Sequence, residues 1–247
     1  MRLSVLGAGP AYTDRQDAVG AAYLVTLDQT RLLLDLGQGA FPRIFPLVRP
    51  TELDAVVVSH LHPDHFIDLV PLRHYLRYEF QPPRRARVIG PRGLADRLDA
   101  LHAQPGFSAA SLDCELLETA PRQIGSLTIE ARLVAHTDES YALRVAGANG
   151  PGLVYSGDCG RALDLAPLVR PGDTLVTEVA FGPGPVPPGV LHLDGPAVGE
   201  LAAATRPGRV LLTHILSGHD LDATIASIRA RWDGPVRFVW PGDALDV

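Results

Sequence analysis

At 247 residues the chain is long enough to bury a sizeable core, and its formal net charge of −6 argues against broad nonspecific nucleic-acid binding, which draws affinity from cationic surface. Two cysteines far apart in the chain, Cys114 and Cys159, read as free thiols rather than a disulfide framework. No span approaches the roughly 18 apolar residues of a membrane helix, so no membrane partner is expected.

The opening Met1 to Leu6 is too short an apolar run for a signal peptide and meets a turn at Gly7-Ala8-Gly9-Pro10, which predicts a cytoplasmic protein. Strands are expected near 2–6, 21–27 and 30–35, then a short helix near 40–48 and a β-branched strand at 54–58. Helical spacing follows over 66–76, where Pro71 is tolerable only near the first turn. A strand at 87–90 and a helix from Gly93 to Leu101 come next. Further strands are expected near 112–117, 126–135, 140–146, 152–156, 173–179, 209–213 and 235–240. Helices near 161–168, 195–205 and 221–231 alternate with them, each apolar on one face. The 24 glycines and 22 prolines mark many turns, but no linker, repeat or low-complexity block divides the chain, so residues 1–247 are expected to form one domain. Periodicity alone gives mixed α/β.

The chemistry is concentrated after the strand at 54–58. Ser59-His60-Leu61-His62-Pro63-Asp64-His65 crowds three imidazoles and a carboxylate into six residues. Its composition makes H-x-H-x-D-H a coincidence on the order of once in a thousand such chains. A lone histidine in a loop is ordinarily a surface or hydrogen-bonded residue, but a set gathered this tightly calls for a cation. More ligands are needed, each where a strand ends. Leu133-Val134-Ala135 leads into His136, Leu153 to Gly157 into Asp158, and Val210 to Thr213 into His214.

The ordered set His60, His62, Asp64, His65, His136, Asp158 and His214 resembles the metallo-β-lactamase fold superfamily, best its ribonuclease Z-like hydrolase and phosphodiesterase branch. Leu34-Asp35-Leu36-Gly37-Gln38-Gly39 is similar to the superfamily's structural aspartate turn, and Ser156-Gly157-Asp158 resembles its bridging-carboxylate motif. The resemblance runs from Leu3 to about Val239 and implies a four-layer αβ/βα sandwich with the site at one edge. It implies that His60, His62 and His136 hold one metal, that Asp64, His65 and His214 hold a second, and that Asp158 bridges them. Nitrogen and oxygen donors without thiolate favour two Zn2+, though manganese or iron would tolerate the same ligands. Two such metals can share a hydroxide that is nucleophilic at neutral pH. Asp64, besides its ligand role, and His192 are the residues assigned to catalysis; Asp35 supports the metal loop by hydrogen bonding.

His192, in Val190-Leu191-His192-Leu193-Asp194-Gly195, resembles the accessory histidine beside the scissile phosphate in ribonuclease Z-like enzymes and is the candidate proton donor to the leaving group. Where that motif has threonine this chain has Asp194, which weighs against phosphate but reads first as the N-cap of the following helix. His74, His102 and His219 read as surface or packing residues, and the Cys159 side chain as pointing away from the metals. Arg73, Arg77, Arg84, Arg85, Arg87, Arg92 and Arg97 form a basic segment, either a phosphate-facing patch or a solvated helix and loop in a chain whose 22 basic residues are all arginine.

Two segments are expected to shape the entrance: the stiff loop Phe181 to Gly189, and the loop Gly9 to Gly20, whose Tyr12, Asp14 and Arg15 are candidates to touch substrate. The short segment between His136 and Asp158 has no room for the long arm of transfer-RNA-processing members, so an extended nucleic acid is not an expected partner. A small molecule is. Three classes stay open: a phosphodiesterase on a small phosphodiester such as a cyclic nucleotide; a hydrolase of carboxylic esters, thioesters or lactones; and a nonhydrolytic biosynthetic or iron redox enzyme of the same fold. Family members are often dimers, so the resemblance implies a homodimer.

Overall fold

The computed structural model describes residues 1–15 and 18–247. Strands β1 (Arg2–Gly7), β2 (Ala22–Leu27), β3 (Thr30–Leu34), β4 (Ala55–Val57), β5 (Ala86–Gly90) and β6 (Leu112–Leu116) build one sheet. Strands β7 (Arg122–Ile124), β8 (Leu127–Leu133), β9 (Tyr141–Ala146), β10 (Leu153–Tyr155), β11 (Thr174–Glu178), β12 (Arg209–Thr213) and β13 (Val236–Phe238) build the other. The last strand, β14 (Ala244–Asp246), returns to the first sheet and pairs with β1. The spatial orders are β14-β1-β2-β3-β4-β5-β6 and β13-β12-β11-β10-β9-β8-β7.

Both faces of each sheet are covered at its centre, so central strands such as β3, β4, β10 and β12 are buried at nearly every position, whereas the edge strands β6, β7 and β14 carry polar, partly exposed residues. In β1 to β3, Leu3, Val5, Tyr23, Val25, Leu32 and Leu34 face the second sheet across a shared core, whereas Leu6, Ala22, Leu24 and Leu33 turn outward. The outward face packs on helices α1 (Pro63–Phe66), α2 (Leu69–Tyr78) and α3 (Leu94–Leu101). The outer face of the second sheet packs on α4 (Gly195–Thr205) and α5 (Leu221–Arg229) through Leu175, Leu212, Val198, Leu201 and Ile228. The result is the four-layer αβ/βα sandwich.

Strand direction decides where the polar strand ends meet. In the first sheet β3, β4, β5 and β6 are mutually parallel, and β1, two antiparallel steps from β3, runs the same way. In the second, β10 to β13 are parallel, and β8 agrees with them because β9 opposes both β8 and β10. The carboxyl ends of β1, β3, β4, β8, β10, β11, β12 and β13 can therefore share one edge of the sandwich, where open α/β sheets place their ligands.

Several expected elements differ. The helix near 40–48 is only a 3-10 turn at Phe41–Arg43, and that near 161–168 a 3-10 turn at Ala162–Asp164. The helix over 66–76 begins earlier and breaks in two; Pro71 lies in the first turn of α2, where its missing N–H costs least. The short edge strands β7 and β14 were not anticipated: they hold polar residues and lack the continuous apolar run that marks the equally short β4 and β10. Three members of the basic segment are engaged within the fold. Arg73 is buried with Nε donating to the Phe107 carbonyl at 2.8 Å, Arg85 pairs with Asp113 and Arg87 with Glu115. Among the described residues no helix is long and apolar enough to cross a membrane.

Candidate metal centre

The loop after β4 is shaped by its own sequence and then strapped down. His62 is extended and precedes Pro63, whose fixed φ suits the first position of α1, so Asp64 and His65 ride on the first turn of a helix and are buried. The Asp64 carbonyl accepts from the Ala21 N–H at 2.9 Å, and the His65 carbonyl from the Leu36 N–H at 2.8 Å. Gly37 sits directly under the Asp64 carbonyl, where any Cβ would overlap it. Asp35 and His214 both adopt left-handed backbone, φ 58° and 55°, which non-glycine residues occupy only when their surroundings enforce it. Both turn their side chains into the site.

Beside a third cluster of Glu178, His192 and His214, two larger donor groups form, His60, His62, His136 and Asp158 in one, Asp64, His65, Asp158 and His214 in the other, with each group's ligand atoms within 4.8 Å of one another. Asp158 belongs to both and divides its oxygens between them. Its Oδ2 lies 3.6 Å from His60 Nε2 and 3.5 Å from His136 Nε2; its Oδ1 lies 3.3 Å from His65 Nε2 and 3.4 Å from His214 Nε2. His136 Nε2 is 3.0 Å from His62 Nδ1, and Asp64 Oδ2 is 3.2 Å from His214 Nε2. Ligands about 2.0–2.1 Å from a tetrahedral zinc stand roughly 3.3 Å apart, so these spacings fit a shared cation. Three of the atoms, His60 Nε2, His65 Nε2 and Asp158 Oδ1, are buried with no hydrogen-bond partner. Such orphaned lone pairs are costly unless a cation takes them.

The opposite ring nitrogens of His60, His65 and His136 are engaged, whereas that of His214 is buried without a partner. Asp35 accepts from the Ser59 N–H at 2.7 Å, the Ser59 hydroxyl at 2.8 Å, His65 Nδ1 at 2.7 Å and the Tyr155 hydroxyl at 2.7 Å. Since the Ser59 hydroxyl donates to Asp35, its oxygen is left to accept from His60 Nδ1 at 3.1 Å. His136 Nδ1 donates to the Leu191 carbonyl at 2.7 Å. Each contact selects the tautomer that leaves Nε2 as the donor atom toward the centre. Ser59 and Tyr155 were missed by sequence reading, for they carry no ligand signature and act only across the fold.

Charge within the cluster is sharply divided. Burial, reinforced by nearby His65, drives the His60 pKa well below the usual imidazole value, which keeps it neutral. Burial works the other way on Asp158, but His214 and His65 outweigh it and hold the carboxyl well below its usual range. His65 is raised well above the usual value, burial being overcome by Asp158 and Asp35. Loading a cation would therefore expel a proton from His65.

His192 lies beside the cluster, its ring centroid 4.8 Å from that of His136 and 5.6 Å from that of His214. Its Nδ1 donates to Glu178 Oε1 at 2.9 Å. Glu178, the last residue of β11, is fully buried and also accepts from the N–H groups of Cys159, Ala180 and Leu193. Burial opposes protonation of His192, yet the Glu178 carboxylate prevails and raises its pKa. Sequence reading missed Glu178, although the signal it used elsewhere, a polar residue closing a buried strand, was present there too. Asp194 is the N-cap of α4, accepting from the Ala197 N–H at 3.0 Å. Cys159 points away from the donors, its Sγ against the Arg161 carbonyl at 3.2 Å, and burial pushes its thiol up to about 12. His74 packs with His102 on Phe107, and His219 against Phe181. The loop Gly9–Gly20 reaches this edge, its Gln16 and Asp17 lying outside the described residues.

A family model for a beta-lactamase superfamily domain matches residues 30–215. An uncharacterised protein of Mycobacterium leprae is 32% identical over 255 residues, covering 100% of this chain and 89% of that one. A ribonuclease Z of Pyrobaculum arsenaticum is 25% identical over 98% of this chain and 96% of its own. The probable metallo-hydrolase YhfI of Bacillus subtilis is 23% identical over 98% of this chain and 100% of its own. The crystal structure of YhfI, a metallo-β-lactamase fold protein, superposes with a TM-score of 0.88 at 21% identity, across 99% of this chain and 98% of that one. Sequence and architecture agree over nearly the whole length: the protein belongs to the beta-lactamase superfamily, as a metallo-hydrolase of the metallo-β-lactamase fold.

Proposed function

We propose that residues 1–247 act as one domain, a dinuclear-zinc phosphodiesterase on a small phosphodiester. The division of Asp158's two oxygens between two donor groups carries this reading, because one carboxylate so placed suits a pair of cations rather than one. His60, His62 and His136 would hold the first, Asp64, His65 and His214 the second, with Asp158 between them. Manganese or iron would accept the same nitrogen and oxygen donors. A bound pair supplies a water activated near neutral pH and neutralises charge developing on the substrate.

The remaining steps belong to the chain's own side chains. Asp64 Oδ2, facing the cluster, would orient the attacking water. His192, kept protonated by Glu178, presents Nε2 opposite the hydrogen-bonded Nδ1 and would give its proton to the leaving oxygen. The Asp194 carboxylate caps the α4 N-terminus, whose positive dipole end offsets part of its charge toward a phosphate. Between His136 and Asp158 the chain is a turn, β9, another turn and β10, with no arm to grip an RNA, so the substrate is small. The same reading takes the protein as a cytoplasmic homodimer, checked by sedimentation velocity.

A second reading rests on the cavity of about 470 Å³ beside His192, lined by Leu163, Val190 and Leu193 together with Arg161, Asp194 and Glu200. An ester or lactone with an uncharged body would suit it. Zinc-loaded protein offered bis-p-nitrophenyl phosphate, p-nitrophenyl acetate and a simple lactone should prefer the diester. Preference for either acyl substrate ends the phosphodiesterase reading, and elemental analysis should find two zinc ions per chain.

A further inference from the structure

We propose that the cavity between Gly9, Pro10, Thr13 and Arg15 on one side and Trp240 and Pro241, after β13, on the other is the subsite for the group retained on phosphorus, where Arg15 recognises a flat heterocyclic ring through its hydrogen-bond acceptors. This deepens the phosphodiesterase reading and rests on it. The cavity, about 260 Å³, is walled by Ala8, Pro10, Ile215, Trp240, Arg15 and Arg43, the last already engaged elsewhere. It abuts the donor cluster at His214: Ile215 is the next residue, and the Ala8 carbonyl accepts from the His214 N–H at 2.9 Å.

Direction follows from His192. An in-line displacement sends the leaving group away from the attacking water, here toward the proton donor, whose own cavity shares no lining residue with this one. The retained group must then leave phosphorus sideways. A third cavity, beside His62, is the other sideways route, but Asp138 and Glu139 line it together with Arg92 and Arg97 and cancel its attraction for an anion or an acceptor-rich ring.

Arg15 is placed to read a ring edge. Its Nη1 donates to the Ile215 carbonyl at 3.1 Å and its guanidinium lies 5.6 Å from the centroid of the Trp240 ring, so the planar fork is held before any ligand arrives. Among the described residues no carboxylate pairs with it. Its remaining N–H groups are donors beside apolar walls, which suits ring carbonyls and ring nitrogens on a flat apolar body better than a compact hydrated anion.

Thymidine 5′-(p-nitrophenyl phosphate) and methyl p-nitrophenyl phosphate share a leaving group and differ only in the group retained. For the zinc-loaded protein, Arg15→Ala should lower the ratio of their kcat/KM values by about tenfold, through KM of the thymidine ester, with Arg15→Lys recovering part of it. An unchanged ratio overturns the proposal. In a Trp232→Phe background Trp240 is the sole tryptophan. Thymidine 5′-monophosphate should quench it saturably, and about tenfold more weakly once Arg15→Ala is added. Quenching by inorganic phosphate alone, or none by the nucleotide, also overturns it. Should the unaltered protein hydrolyse neither diester, the phosphodiesterase reading falls and the fluorescence titration by itself decides the subsite.

Discussion

Glu178 Oε1 accepts a hydrogen bond from His192 Nδ1 at 2.9 Å, joining the end of β11 to a loop residue fourteen positions later. The buried carboxylate sets both the tautomer and the charge of that imidazole. Glu178→Gln keeps the shape and an acceptor but removes the charge, so the His192 pKa should fall and its proton be lost at lower pH. The alkaline limb of the kcat profile should move down in pH, with kcat near neutrality reduced roughly tenfold. A limb that stays in place would show that His192 does not titrate in the reaction.

Replacing His192 itself tests the proton donor. His192→Ala should lower kcat by about 10²-fold. Zinc content, measured by elemental analysis on the same sample, should not change, since the two donor groups are complete without it. Full activity in the variant would refute the role.

Asp35 anchors the loop from beneath, accepting from Ser59 twice, from His65 and from Tyr155. In Asp35→Asn one acceptor oxygen becomes a donor, so at least one of these contacts turns repulsive and His65 loses its fixed orientation. Zinc affinity should fall about 10- to 100-fold in a competition titration with a chromophoric chelator. Wild-type affinity would limit Asp35 to a packing role.

Far from the metals, Arg144 and Asp173 form a buried ion pair at 2.8 Å, and Asp173 also accepts from the Gly152 and Arg170 N–H groups. Asp173→Asn leaves Arg144 with only the more distant Glu130, 3.4 Å away, and should cost about 1–3 kcal/mol, read from the urea midpoint. Burial raises the Asp173 pKa, but Arg144 and the two amides more than offset this and leave it lowered. A carboxyl with a depressed folded-state pKa contributes stability above its unfolded value near 3.8, and that contribution is lost as pH falls through the folded value. The wild type should therefore lose more stability than Asp173→Asn between about pH 4 and pH 2. Parallel acid losses in both proteins would rule this pair out as an acid-sensitive element.

The candidate ligands were legible because His60, His62, Asp64 and His65 sit within one turn of chain, and because His136, Asp158 and His214 each follow a strand that reads as buried. The strands β7 and β14 were not legible: Arg122-Gln123-Ile124 and Ala244-Leu245-Asp246 lack the continuous apolar run that marks the equally short β4 and β10, and their pairing is decided by a neighbour. The overlong helices near 40–48 and 161–168 had the apolar content of helices but are held as 3-10 turns at the surface of the sandwich.

The sequence by itself determined the family of folds and the identity of seven candidate ligands, since periodicity and a dense local motif are properties of neighbours along the chain. Only the tertiary structure decided that Asp158 faces two donor groups with different oxygens, that Glu178 charges His192, that Ser59 and Tyr155 hold Asp35, and that Arg73, Arg85 and Arg87 are already committed. Those relations join residues on different strands. They exist because parallel strands bring their carboxyl ends to one edge, and hydrogen bonding across a few ångströms of buried space then selects which atoms meet.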